Sequence, residues 1–227
     1  MTPPRKRKLL IVNPNTNAIL TGWIATEARR VADNKWSVVA VNADSGLAAI
    51  QAPSDIAKAG TTVVAAIMSH PDADGAIVSA FGDPGLDEAR ASCLVPTVGL
   101  GESGLLEAAE NGRRFAIVTV GTELEATIRQ KVADLGLNGQ LAAIRFLPFS
   151  IPELIEGRAA KIAVIAAEVK ACLECHKANA VLLGGAPFAG MGLSLTRLTR
   201  GIVLDGVEAS VKRVERLTRI AASLRKF

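Results

Sequence analysis

The chain has no tyrosine, and its phenylalanines and tryptophans bring the aromatic share to only 4%. Without aromatic residues interleaved among basic ones, the stacking surface of a nucleic-acid binder is missing. Histidine is almost as scarce: His70 and His176 stand in no motif that pairs them with a nucleophile, so both read as structural. Cysteine occurs three times, as Cys93, Cys172 and Cys175. An odd count without an export signal predicts reduced thiols in the cytoplasm and excludes a disulfide framework. Cys172 and Cys175 have CxxC spacing, but they fall in a helical stretch from Ala159 to Ala178, and no second ligand pair completes a zinc site. No metal and no organic cofactor is expected. Long apolar runs are also lacking. The first one is broken at once by Asn13, Pro14 and Asn15, which rules out a signal peptide or membrane span there.

What remains is an ordered globular composition, 49% hydrophobic and 21% charged. The net charge of +4 leans on Arg5, Lys6, Arg7 and Lys8. Residues 1–8 read as a solvated basic tail, with a nucleic-acid arm as the alternative. Neither nucleic acid nor a membrane is an expected partner.

Short apolar runs bounded by turn residues predict strands at Leu9–Val12, Val38–Val41, Gly75–Val78, Thr97–Val98, Ala116–Val118, Ile144–Phe146, Ala180–Leu183 and Ile202–Leu204. Segments with helical spacing lie between most of them, so the fold class is α/β, with parallel sheets flanked by helices. The chain also repeats itself at an offset of about 106 residues. Ile11–Thr16 aligns with Ile117–Thr122, Asp74–Ala80 with Asn179–Gly185, and Val98–Glu102 with Leu204–Glu208. Two pseudo-twofold related units follow, one of residues 9–103 with 203–227 and one of residues 104–202, with their strand carboxyl ends facing a shared cleft. Helices after those turns would favour an anionic or strongly polar ligand.

The motifs Ile11-Val12-Asn13-Pro14-Asn15-Thr16, Ala80-Phe81-Gly82-Asp83-Pro84-Gly85-Leu86-Asp87-Glu88-Ala89-Arg90, Val95-Pro96-Thr97-Val98-Gly99 and Leu183-Gly184-Gly185-Ala186 resemble the hydantoin and allantoin racemases of the aspartate/glutamate racemase superfamily. The resemblance spans nearly the whole chain. It implies a homo-oligomer and a small cyclic ureide as substrate, held between two cysteines, one from each half, that remove and donate a proton on opposite faces of the ring. Thiols suit this exchange because turn N–H groups can bring both protonation states within reach. In this chain the two cysteine positions fall on Ala80 and Gly185, neither of which carries a proton. The expectation is therefore a cofactor-independent enzyme acting on a hydantoin or thiohydantoin by non-racemising chemistry: hydrolysis, desulfurisation or loss of a leaving group. A racemase with its thiols substituted, or replaced by other acids and bases, is the first alternative. A non-enzymatic ureide-binding member of the family is the second.

The ring-binding residues implied are Asn13, Pro14, Asn15 and Thr16; Ser79, Ala80, Phe81 and Gly82; Thr119, Val120, Gly121 and Thr122; and Gly184, Gly185, Ala186, Pro187 and Phe188. Ser79 and Asp83 are the catalytic candidates. Ser79 reads as a ligand-bonding hydroxyl or as a serine satisfying local backbone, and Asp83 as a general base or as part of an Asp-Pro-Gly turn. Asn13 has an Asx-turn role as its alternative, while Phe81 and Phe188 either wall the ring or pack in the core. Glu102 and Glu208 are expected to begin helices and complement their dipoles.

Overall fold

The computed structural model describes residues 5–44 and 46–224. In chain order the elements are β1 (Arg7–Asn13), α1 (Ala18–Ala32), β2 (Trp36–Asn42), α2 (Pro53–Met68), β3 (Gly75–Val78), α3 (Leu86–Ser92), β4 (Thr97–Gly99) and α4 (Leu100–Ala108). The second half follows with β5 (Phe115–Thr119), α5 (Glu125–Asp134), β6 (Leu141–Phe146), α6 (Ile151–Glu156), α7 (Ile162–Glu174), β7 (Ala180–Gly184), α8 (Gly192–Thr199), β8 (Ile202–Asp205) and α9 (Gly206–Leu224).

Every strand expected from the apolar runs is present, and all pairings are parallel. The repeat appears as two four-stranded sheets of identical order, β2-β1-β3-β4 and β6-β5-β7-β8. Strands β3, β5 and β7 are buried along their whole length because helices cover both faces, which is why their sequences are continuously apolar. One core is shared: Leu9, Ile11 and Ile77 of the first sheet cluster with Ile117 and Leu182 of the second and with residues of α1, α4 and α9. Outer cores lie under α2 and α3 on the first sheet, and under α7 and α8 on the second.

Two boundary expectations need correction. Strand β8 extends β7, so Val203–Asp205 belong to the second sheet, and only from Gly206 does the chain return to the first half. There Val207, Val211 and Val214, one face of α9, are buried in the shared core. The basic tail is also shorter than expected, since β1 begins at Arg7. Arg7 lies 4.8 Å over the Trp36 ring and donates to Thr218, Lys8 pairs with Asp72 at 2.9 Å, and Arg5 pairs with Asp74. These cations have an aromatic face and two carboxylates to meet, so they order rather than solvate. The rest of the expected tail, residues 1–4, lies outside the described residues. Among the described residues no helix is long and apolar enough to cross a membrane.

Candidate functional site

The carboxyl ends of the two central strands of each sheet meet at one cavity. Its walls include Ser79, Ala80, Phe81 and Gly82 after β3, Thr119 and Val120 at the end of β5, and Gly184–Pro187 after β7. Asn15 enters from the turn after β1. Ala80 and Gly185, from different halves of the chain, thus line the same space. The space is narrow, walled largely by apolar side chains and partly open to solvent.

Among the described residues no acidic or basic side chain lines this cavity; its polar side chains are Asn15, Ser79 and Thr119. The Ser79 hydroxyl is fully buried and has no hydrogen-bond partner among the described residues. The Thr119 hydroxyl donates to the Gly184 carbonyl at 2.6 Å, tying the ends of β5 and β7 together. Backbone N–H groups of Phe81, Gly82 and Ala186 have no acceptor among the described residues. The lining therefore offers hydrogen bonds to a neutral polar ligand.

Several residues expected at the site serve it from outside. Asn13 spends its amide on the Asn15 side chain (3.0 Å), the Asn17 carbonyl (3.3 Å) and the Thr21 hydroxyl (3.0 Å), so it braces the turn that presents Asn15. Pro14 and Thr16 are not part of the lining, and Thr16 is held by the Leu47 carbonyl. Gly121 and Thr122 line an adjoining groove instead. Phe188 is buried in the outer core of the second sheet, while Phe81 does line the cavity. None of the three cysteines borders it.

Asp83 is no free base. Its side chain is 1% exposed, and its oxygens accept from the N–H groups of Gly101 and Glu102, each at 2.7 Å, and from Lys131 Nζ at 2.8 Å. Burial pushes its carboxyl upward, against the Lys131 ammonium and the two N–H groups, which favour the charged form. Asp83 caps α4 and pairs with α5 of the other half, a strut three residues beyond Ala80. The sequence makes room for it: a Cβ on Gly99 would fall on the Asp83 carboxylate, and one on Gly101 would strike the Phe81 carbonyl.

The second half builds its cap differently. Asp205, at the end of β8, aligns with Gly99. One of its oxygens accepts from the N–H groups of Val207 and Glu208, and the other from Gly190 N–H at 3.2 Å, which fastens the turn beyond Gly185 to α9. Burial raises its carboxyl to about 6, opposed by its hydrogen bonds to Glu208 and Gly190. Carboxylate oxygens of Glu27, Asp205 and Glu208 lie within 4.8 Å of one another, the spacing of a cation site. Here, however, Arg30 pairs with both Glu27 and Glu208, and Asp205 is committed to N–H groups. Glu102 and Glu208 each sit in the first turn of a helix, as expected.

Gly185 has φ 133° and ψ 159°, a region almost confined to glycine. A Cβ there would find space, its nearest neighbour being Pro187 at 3.4 Å, so the obstacle is backbone conformation and not volume. Gly185→Cys is therefore expected to cost about 1–3 kcal/mol, while Ala80→Cys stays within about 1 kcal/mol because Ala80 lines the cavity and does not need a positive φ. Urea unfolding of the two variants checks this; equal costs would refute the conformational argument.

Sequence reasoning missed the apolar wall: Leu20, Ala49, Ile50, Ile56, Leu124, Ile128 and Ile151. A signal was present. Pro53 and Pro152 both stand in the first turn of the helix that follows an edge strand, marking two related loops whose neighbouring isoleucines line the cavity.

Comparisons with known proteins agree with this geometry. A model of the Asp/Glu/hydantoin racemase family matches residues 9–214. The chain is 29% identical to a hydantoin racemase of Pseudomonas sp. (strain NS671) over 222 residues, covering 97% of this chain and 89% of that protein. Its structure superposes on an allantoin racemase from Klebsiella pneumoniae with a TM-score of 0.91 at 29% identity, covering 95% of this chain and 89% of that one. An allantoin racemase from Pseudomonas fluorescens gives 0.88 at 26% identity, with 94% and 92% covered. The duplicated sheets, the cavity at their carboxyl ends and these matches make the chain an enzyme of the Asp/Glu/hydantoin racemase family, with alanine and glycine at the positions where the resemblance implies thiols.

Proposed function

We propose that the cavity between the Ala80 and Gly185 turns takes a hydantoin-type five-membered cyclic ureide and exchanges the proton on its ring carbon, a racemase reaction run without thiols. The observation that carries this reading is the joint presence of Ala80 and Gly185 in one cavity beside an unpartnered Ser79 hydroxyl. A planar ureide offers carbonyl acceptors and ring N–H donors, which match the Asn15 amide, the Ser79 and Thr119 hydroxyls and the turn N–H groups. Removing the ring proton places negative charge on a neighbouring carbonyl oxygen, and fixed N–H donors such as those of Phe81, Gly82 and Ala186 stabilise such charge. The relatives named for hydantoin and allantoin racemisation support the same substrate class. With no thiol in the lining to carry the proton, the rate should fall short of a two-thiol enzyme by the roughly 10²–10⁴-fold that a positioned acid or base contributes.

A second reading, non-racemising chemistry on the ring or its thio-analogue, draws on the Gly185 backbone, whose conformation has left the range a cysteine readily adopts. The two are separated by incubating the protein with enantiopure 5-substituted hydantoins and thiohydantoins in D2O. The expected result is loss of optical rotation with deuterium at the ring carbon and unchanged ring absorbance, slowed in Ser79→Ala. Ring opening or sulfide release without exchange would replace the first reading with the second. Tight, turnover-free binding by calorimetry would make the protein a ureide-binding member of the family.

A further inference from the structure

Three buried side-chain polar atoms have no hydrogen-bond partner among the described residues: Ser79 Oγ, Ser103 Oγ and Arg213 Nε. The first lines the ring cavity. The other two residues line a single groove between α4 and α9 that shares no residue with that cavity. Two unpaired polar groups at one place is an unusual concentration, since buried donors and acceptors are nearly always met.

The charge around them is uneven. Lys212, Arg213, Arg216 and Arg219 of α9 line the groove, opposed by Glu107 and Glu110. Those acids already have partners: Glu107 pairs with Lys212 and Glu110 with Arg113, both at 3.5 Å. Glu102, behind them, pairs with Arg90 and with Arg213 through its Nη2 at 3.2 Å, so Nε is the buried donor that Arg213 has left. Among the described residues Arg216 and Arg219 stand in no ion pair, and Arg219 donates its Nε to the Glu215 carbonyl at 3.4 Å. The groove thus combines two guanidinium groups without acidic partners, a third guanidinium with an unused N–H, and a buried hydroxyl.

We propose that this groove binds a phosphate group, either free or as the monoester of a small metabolite. Guanidinium forks suit phosphate oxygens. A tetrahedral oxyanion presents oxygens in more directions than a carboxylate, and so can meet Ser103 and Arg213 while the outer guanidinium groups neutralise its charge. The site stands whether or not the ring chemistry proposed above survives.

Calorimetry on the intact protein tests it, titrating inorganic phosphate, glycerol 3-phosphate, acetate or chloride at constant ionic strength. Saturable binding of phosphate or the monoester is expected, with acetate and chloride giving none; the tighter of the first two identifies the source. Arg213→Lys keeps the charge and the Glu102 partner but removes Nε, and with Ser103→Ala it should weaken phosphate at least tenfold. Arg216→Gln with Arg219→Gln, both exposed and safe for folding, should abolish binding. The site is refuted by phosphate heats no larger than those of chloride, meaning that water alone meets the two groups, by acetate binding as well as phosphate, or by unchanged affinity in the variants.

Discussion

Replacing Asp83 with alanine should lower the unfolding free energy by about 3–5 kcal/mol, read as a shift of the urea midpoint at constant slope. The size follows from what is left behind. Lys131, with 20% of its side chain exposed, loses its carboxylate, and the N–H groups of Gly101 and Glu102 lose their acceptor at the start of α4. Lys131→Met should cost less, about 1–3 kcal/mol, because the two N–H groups still hold the Asp83 carboxylate. Combining the two changes should recover at least about 1 kcal/mol relative to additivity, the mark of residues in direct contact. An Asp83→Ala protein within 1 kcal/mol of the parent would show that the strut between the halves does not stabilise the fold.

A second large effect belongs to Asp205. Its carboxyl is raised to about 6 by burial, against about 3.9 in an unfolded chain. The folded state therefore holds this proton more tightly than the unfolded one. Its contribution is fully present below the unfolded value and is lost as pH rises through the folded value. Two units correspond to about 3 kcal/mol, so this residue makes the protein less stable at pH 7 than at pH 4 by that amount. Asp55, Asp72 and Glu153, whose carboxyls are lowered chiefly by hydrogen bonds to Gln51, Lys8 and Ser150, act in the opposite sense. The measurement must therefore be the difference between the parent and Asp205→Asn profiles. That difference should slope between about pH 4 and pH 6 and be flat above; parallel profiles would remove Asp205 as its source.

The strands were legible because each is a short apolar run closed by turn residues, and the repeat revealed the shared sheet order through its offset. The return of the chain to the first half was legible, but the residue at which it begins was not. Val207, Val211 and Val214 announce a helix with one apolar face, but a stripe does not say which sheet receives it, and only pairing of β8 with β7 places the return at Gly206. At the site, Ala80 and Gly185 follow equivalent strands, so pseudo-symmetry alone brings them together. Asn13, Asp83 and Phe188 went elsewhere because the direction of a turn side chain depends on neighbours distant in sequence: Thr21 for Asn13, Lys131 for Asp83, and the outer core of the second sheet for Phe188. The apolar wall was hidden for a different reason. Ile50, Ile56 and Ile151 carry no chemistry, and an isoleucine near a proline looks the same whether it faces a ligand or a core.

The position of α9 sets an order on synthesis. Strands β1, β3 and β4 emerge from the ribosome early, but the face they turn toward the middle of the protein is completed by Val207, Val211 and Val214, which are translated only after the second sheet. During elongation that face has only helices of its own half to cover it while the entire second sheet is made, and it closes when α9 arrives. Vectorial folding of the first half is therefore incomplete until α9 is made, and the newborn chain depends on that helix to shield hydrophobic surface synthesised long before it.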